Sequence, residues 1–235
     1  MIDSFYVTRF SRLFILIFFS APAFASVSLV SFSGDVTLQR DREIFEVHKK
    51  DLPMQLNPGF KINTSSSGKA RLVFDDETEI TMAPNTQFEP YSEKSEKIPT
   101  LNWGRLRVLV KKIQKASSSS SFQMRTSQAV MGVRGTEFLV EAEKEHSSIC
   151  AFEGVVTVEI AQKPAIFVSA GTGVVVTKGN VSDPVTMDTG LMNWWRDQTL
   201  LDGSYSEETE NSSAQRAWWW SQPTYVDSAD PVTLY

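Results

Sequence analysis

Residues 105–110 read RLRVLV, an alternation that places Leu106, Val108 and Val110 on one face of the chain. A period of two with one polar face is the signature of a half-buried β-strand. The same pattern recurs at residues 69–74, KARLVF, and at residues 156–160, VTVEI. The side chains of these two stretches that are predicted to face the core are Ala70, Leu72, Phe74, Val156, Val158 and Ile160.

Turn-forming residues separate many such short stretches between residues 26 and 178. They are Gly34-Asp35, Pro58-Gly59, Asp75-Asp76-Glu77, Pro84-Asn85, Gly135, Glu153-Gly154 and Gly171-Thr172-Gly173. Short strands at near-regular spacing, with no amphipathic helix between them, are typical of an all-β domain. The sequence therefore predicts a single all-β domain of many short strands over residues 26–178. A solenoid-like arrangement, a sandwich and a barrel all fit this pattern.

The pattern changes after residue 178, and residues 179–235 are predicted to form a C-terminal arm. Residues 187–201 are the one stretch with helical spacing, and its apolar positions are Leu191, Trp194, Trp195 and Leu200. Polar and turn-forming residues 202–216 follow as a linker. An irregular tail then holds Trp218, Trp219 and Trp220.

The first 25 residues have the order of a secretory signal peptide. Arg9 and Arg12 precede an apolar run at residues 13–19, and Ala23 and Ala25 occupy the −3 and −1 positions of a cleavage site. A membrane-spanning helix needs about 20 consecutive apolar residues, so this run is too short for an anchor. The sequence predicts cleavage after Ala25 and a periplasmic or secreted protein with no later membrane span.

The composition argues against several classes of function. The whole chain has 23 Lys+Arg and 28 Asp+Glu, a net charge of −5, whereas a general nucleic-acid binder carries a basic face. Cys150 is the only cysteine, so it cannot form an internal disulfide, and its apolar surroundings in the sequence indicate a buried thiol. His48 and His146 are far apart in sequence, and no catalytic or metal-ligand spacing is present. We therefore predict no enzyme activity, no cofactor and no bound metal.

A succession of motifs points to a family. The segments are GDV at 34–36, PGFKINT at 58–64, SGKARL at 67–72, LNWGRL at 101–106, FQMRTSQA at 122–129, VMGVRGTEF at 130–138, FEGVV at 152–156 and AG at 170–171. Together they resemble the FecR domain, the periplasmic domain of a family of bacterial cell-surface signalling regulators, over residues 27–176. One turn departs from the family pattern, because Asp75-Asp76-Glu77-Thr78 stands where Asp-Gly-Ser is usual.

Two groups of residues are singled out as sites. Val133, Arg134, Gly135 and Thr136 are predicted to be a structural motif. Gly135 permits a backbone bend, Arg134 directs its guanidinium at backbone carbonyls left free where strands change direction, and Thr136 restarts a strand. Trp194, Trp195, Trp218, Trp219 and Trp220 are candidates for binding a partner, because consecutive tryptophans cannot all face one core. The alternative is that the arm folds back and covers an apolar edge of the sheet.

The resemblance implies a regulator with a cytoplasmic anti-sigma segment, one spanning helix and a periplasmic domain that receives a signal from an outer-membrane receptor. Only the periplasmic part is expected in this chain. The first hypothesis is an exported, non-catalytic module that binds or scaffolds a protein partner in the periplasm or cell envelope. The alternative is a soluble component of iron-uptake or stress signalling linked to a sigma-factor circuit. A weaker alternative is a peptidoglycan or carbohydrate binder that uses the tryptophans.

Overall fold

A computed structural model describes residues 26–92, 98–111, 122–199 and 201. In chain order the strands are β1 (Val27–Ser33), β2 (Val36–Arg40), β3 (Glu43–Glu46), β4 (Met54–Leu56), β5 (Lys61–Thr64), β6 (Lys69–Phe74), β7 (Glu79–Met82), β8 (Gln87–Glu89), β9 (Thr100–Leu109), β10 (Phe122–Arg125), β11 (Val130–Val133), β12 (Glu137–Ala142), β13 (His146–Glu153), β14 (Val155–Glu159), β15 (Ile166–Ser169), β16 (Thr172–Thr177), β17 (Asn180–Val181) and β18 (Val185–Thr186). A short 3-10 helix, Lys49–Asp51, lies between β3 and β4, and the helix α1, Thr189–Gln198, follows β18.

The strands form two sheets that share one long strand. Sheet A has the order β4-β1-β6-β7-β9-β12-β13-β16, with β17 and β18 paired to β16. Sheet B has the order β3-β2-β5-β8-β9-β10-β11-β14-β15. The first part of β9 pairs with β8 in sheet B and its second part pairs with β7 and β12 in sheet A. All of these pairs are antiparallel except β9–β10.

One hydrophobic core lies between the two sheets. Its side chains come from both of them, with Leu72 and Val108 from sheet A and Phe88 and Met131 from sheet B among those fully buried. The predicted inward positions of the three alternating stretches, Leu106, Val108, Val110, Ala70, Leu72, Phe74, Val156, Val158 and Ile160, are all buried in this core. The all-β class is therefore confirmed, and the arrangement is sandwich-like because two sheets enclose one core.

The chain crosses between the sheets at residues with a left-handed backbone. These residues are Gly34, Asn85, Gly104, Gly135, Gly154 and Gly171, with φ values of 61°, 55°, 94°, 60°, 77° and 78°. Two crossings are built alike, each closed by a buried threonine. The Thr86 hydroxyl donates to the carbonyl of Arg105 (3.3 Å) and the Thr136 hydroxyl donates to the carbonyl of Val155 (3.4 Å), both over a separation of 19 residues. Glycine is the residue that adopts positive φ at least cost, so these crossings account for most of the turn signals in the sequence. Asp75-Asp76-Glu77 instead forms the turn between β6 and β7 within sheet A.

Two boundaries differ from those predicted from the sequence, the end of the β-domain and the start of the helix. The β-domain continues past residue 178, because β17 and β18 both pair with β16. The helix begins at Thr189 instead of residue 187, because the Met187 amide is bound to the Gly171 carbonyl (2.8 Å) and the Asp188 carboxylate accepts from the amide of Gly190 (2.8 Å). No helix within the described ranges is long and apolar enough to cross a membrane.

Helix α1 packs on the outer face of sheet A. Trp195 is buried there in a second hydrophobic cluster with Leu139, Cys150 and Met187. The part of sheet A formed by β12 and β13 is therefore covered on both faces, whereas the described residues place no helix on the outer face of sheet B. Of the predicted apolar positions of the helix, the side chain of Leu191 and the whole of Leu200 lie outside the described residues.

Candidate functional site

The predicted structural motif forms the crossing from β11 in sheet B to β12 in sheet A. Val133 is buried in the core, Gly135 has a φ of 60° and Thr136 is buried. Gly154, in the neighbouring crossing from β13 to β14, packs closely against this motif. A Cβ added to Gly154 would lie 2.8 Å from the Thr136 hydroxyl oxygen and 3.0 Å from the Gly135 carbonyl oxygen. The side chain of Arg134 is exposed. The role of these four residues as a structural motif stays a prediction.

The tryptophans of the arm occupy different environments. Trp195 is only 3% exposed and is part of the cluster that holds α1 on sheet A. Trp194 is half-buried, with the guanidinium of Arg105 5.5 Å from the centre of its ring system. Trp218, Trp219 and Trp220 lie outside the described residues. Their role in binding a partner stays a prediction, and Trp195 could contact a partner only if α1 left the sheet.

A row of primary amides crosses the outer face of sheet B. We call Gln39, Asn63, Gln87 and Asn102, which lie on the neighbouring strands β2, β5, β8 and β9, the amide row. Gln87 is at its centre: its side-chain nitrogen donates to the oxygens of Asn63 (2.6 Å) and Gln39 (3.5 Å), and its oxygen accepts from the nitrogen of Asn102 (3.0 Å). Gln87 is buried and the other three side chains are half-buried, so the row combines fixed orientation with access to solvent.

A half-exposed tryptophan stands at one end of the amide row. Trp103 pairs with Gln87 across β9 and β8, although Leu101 pairs with Phe88, so β9 has one extra residue here. Such a bulge changes the direction in which the following side chains point. Because Trp103 is directly opposite Gln87, its side chain joins the amides on the outer face, where it is 50% exposed.

The two ends of sheet B differ in charge. The edge strand β3 is flanked and interrupted by charged residues, Asp41, Arg42, Glu43 and Glu46, and these surround the exposed Ile44. The other edge strand, β15, has the sequence IFVS with no charge. Phe167 on β15 is 64% exposed and Val155 on the neighbouring β14 is 46% exposed. Natural proteins protect sheet edges with charges, so β15 is the unprotected edge of the two.

The described residues provide little for catalysis. Burial raises the pKa of the Cys150 thiol to about 12, so this sulfur is a neutral core group and not a nucleophile. His48 lies at the start of the 3-10 helix, whereas His146 begins β13. Within the described ranges, no group of three or more His, Cys, Asp or Glu side chains could hold a metal ion.

The amide row was not predicted from the sequence. Its hydrogen-bonded pairs are separated by 15 to 48 residues along the chain and meet only when four strands align. Each of them stands on the polar side of an alternating stretch, and Trp103 appears in the sequence only as part of the segment LNWGRL. The sequence alone does not give the order of strands in sheet B, and that order is what brings the four side chains together.

The described residues form an all-β domain in which two sheets enclose one core. A family model described as FecR protein matches residues 60–157. The chain therefore carries a FecR domain over this part of its length, as the succession of motifs predicted. Members of the FecR family are generally regulatory proteins and not enzymes.

Two solved structures are similar in shape to this chain. Both are crystal structures of a candidate anti-sigma factor from Parabacteroides distasonis, with 18% and 19% sequence identity and a TM-score of 0.48 in each case. The similarity covers 58% of this chain, and 64% and 63% of the solved chains, so this protein spans less than two thirds of their length. No curated protein matches this sequence.

Proposed function

We propose that the protein is an exported, non-catalytic FecR-domain module that binds a protein partner in the periplasm or cell envelope as part of a signalling system. The observation that carries the proposal is the edge strand β15. It pairs with β14 on one side, and no other strand among the described residues pairs with its second side. Phe167 and Val155 place exposed apolar surface beside this edge.

The chemistry of β15 suits an extended segment of a partner. An uncovered strand presents unpaired N–H and C=O groups that a partner strand can bind, while apolar side chains beside the edge supply specificity. Gly132, on β11, adds space to the same face, because an added Cβ there would meet no heavy atom within 4 Å. Since Gly132 and Phe167 both pair with Thr157, the three lie in one row across the sheet. This row can accept a bulky side chain from the partner.

The FecR domain supports a place in signalling. The alternative function, a component of an iron-uptake or stress circuit linked to a sigma factor, would use the same edge for a different partner. The identity of the captured protein separates the two: a sigma-factor or receptor component supports the alternative, whereas an unrelated envelope protein supports a scaffold.

Substitution of Phe167→Lys is expected to abolish capture of the partner, because a charge beside β15 opposes strand addition. The measurement is crosslinking and affinity capture of the protein from native envelope, followed by identification of the captured protein. Ile44→Lys at the already charged edge β3 is the matched control and should capture normally. Both are surface changes that should alter the free energy of unfolding by no more than about 0.5 kcal/mol. Equal capture by the Phe167→Lys protein would contradict the proposal.

Export is supported by the contacts of Ser26. The backbone nitrogen and the hydroxyl of Ser26 both donate to the carboxylate of Asp75, and the Asp75 amide donates to the Ser26 carbonyl (3.2 Å). In a chain cleaved after Ala25, that nitrogen is an α-ammonium group, so one of the hydrogen bonds becomes an ion pair. Cleavage at this position would thus fasten the new N-terminus to the turn between β6 and β7.

Asp75→Asn is expected to destabilise a chain that begins at Ser26 by about 0.2–1 kcal/mol at neutral pH, the usual value of an exposed ion pair. The hydrogen bonds from the side chain and backbone of Ser26 lower the pKa of Asp75. A lowered pKa in the folded state stabilises the fold at any pH above the pKa of an ordinary carboxylate. This contribution disappears as the pH falls through the pKa of Asp75 in the folded state. Chemical denaturation of the two proteins at neutral pH and near pH 2 measures the destabilisation and its loss in acid.

The control for Asp75→Asn is the same pair of proteins with two extra residues before Ser26, which move the ammonium away from the carboxylate. The effect of the substitution should then be smaller. An effect of the same size in both backgrounds would contradict the role of the new N-terminus.

A further inference from the structure

Trp103 and the amide row lie in the half of sheet B opposite β15. Asn63, Gln87 and Trp103 lie opposite one another on β5, β8 and β9, where neighbouring strands are separated by about 4.8 Å. Gln39 pairs with Lys61 and therefore lies two residues to one side of this line on β2. The amides carry no charge. The charged residues that the strand pairing places on this face are Lys61, Glu89, Glu46 on β3 and Arg125 on β10, two of each sign.

We propose that this surface binds a linear, neutral glycan that lies across the strands, with one sugar ring stacked on Trp103 and its polar groups bonded to the amide row. This inference goes beyond the proposed function and uses a different part of the sheet. It does not depend on the partner at β15.

The indole of Trp103 is suited to a sugar ring. It is 50% exposed, and a large aromatic face that remains in water is a ready contact surface. A pyranose presents a flat face of C–H groups with hydroxyls at its rim. Stacking would remove apolar surface from water on both partners and leave the hydroxyls free to reach the neighbouring amides.

The amides are suited to the rim of the sugar. A primary amide has two N–H donors and an acceptor oxygen with two lone pairs, so it can serve a hydroxyl as donor and as acceptor. The bonds from Gln87 to Asn63 and Gln39, and from Asn102 to Gln87, use only part of this capacity. They also fix the side chains before a ligand arrives, which lowers the entropy that binding must offset.

The spacing of the row favours a glycan over an extended peptide. Polar groups on one side of an extended peptide repeat every second residue, roughly every 6.6 Å, whereas the strands that carry the amides repeat at about 4.8 Å. The strand repeat is close to the length of one pyranose unit in a linear chain. Successive sugars can therefore meet successive side chains of the row.

The test is titration of the exported protein with two neutral linear sugars, cellotetraose and tetra-N-acetylchitotetraose, and with a blocked octapeptide of alternating Ser and Thr. Nuclear magnetic resonance follows the indole N–H of Trp103 and the side-chain amides of Asn63 and Asn102, and calorimetry gives the affinity. At least one sugar should cause saturable shifts of these signals. Trp103→Ala should weaken binding by about tenfold or more, as expected for an aromatic residue at the centre of a contact.

Phe167→Ala is the matched control, because Phe167 is an exposed aromatic residue on the same face but outside the row. It should bind the sugar normally, and both variants should remain folded, with a melting temperature no more than a few degrees below that of the parent protein. Asn63→Ala should also weaken binding, as a check independent of Trp103. Binding of neither sugar, binding of the peptide alone, or sugar binding that Trp103→Ala leaves unchanged would overturn the proposal. None of these results would affect capture of a partner at β15, which Phe167→Lys tests separately.

Discussion

Replacement of Gly104 by alanine is expected to destabilise the protein by about 4 kcal/mol or more, or to prevent folding, because strain and steric overlap act at one position. Gly104 has a φ of 94°, which L-residues with a side chain rarely adopt. An added Cβ would lie 2.5 Å from the Cα of Thr86 and 2.7 Å from the carbonyl oxygen of Asn85. These are backbone atoms of the neighbouring crossing, so a side-chain rotation cannot relieve the overlap.

The matched control for Gly104→Ala is Gly132→Ala. Gly132 lies within β11, has no left-handed φ, and an added Cβ there would meet nothing within 4 Å. Alanine at such a position reduces the freedom of the unfolded chain and should stabilise by about 0.4–1 kcal/mol. Chemical denaturation of both variants gives the comparison. Similar midpoints for Gly104→Ala and the parent protein would show that β9 does not pass between the sheets at this residue.

The substitution Trp195→Ala is expected to cost about 3–5 kcal/mol, the usual range for truncation of a buried tryptophan. Trp195 is 3% exposed and packs with Leu139, Cys150 and Met187 between α1 and sheet A. Its removal should release the helix, so that trypsin cuts after Arg196 faster than in the parent protein. Thermal denaturation and limited proteolysis measure the two effects.

The control for Trp195→Ala is Trp103→Ala, which truncates a half-exposed tryptophan on the other sheet. Its cost should be about 1 kcal/mol or less, with no change in proteolysis after Arg196. If Trp195→Ala were as stable as Trp103→Ala and equally resistant to trypsin, the helix would not be held on sheet A in solution.

The strands were predictable because burial of one sheet face leaves a strong local pattern. Leu106, Val108 and Val110 alternate with side chains on the other face, and the structure places all three in the core. The same local pattern cannot show that β9 serves two sheets. That property depends on the bulge near Trp103 and on contact between Gly104 and Thr86, which joins residues distant in sequence.

The candidate sites were harder to predict than the strands. The helical spacing around Trp194 and Trp195 correctly indicated a helix, but the burial of Trp195 depends on the outer face of sheet A, which the sequence does not identify. The amide row likewise depends on strand order, because Asn63 and Gln87 become neighbours only through the pairing of β5 with β8. The edge position of β15 is visible only once the pairing of the described strands is known, in which β14 is its one partner.

The central claim is our proposal that this FecR-domain protein is exported and binds a partner protein through β15. Site-specific photocrosslinking in living cells tests it most directly, with a photoreactive amino acid placed at position 167 and, in a second strain, at position 44. A discrete adduct with one envelope protein at position 167, and none at position 44, is the predicted result. No adduct at position 167, or the same adduct from both edges of sheet B, would contradict the account.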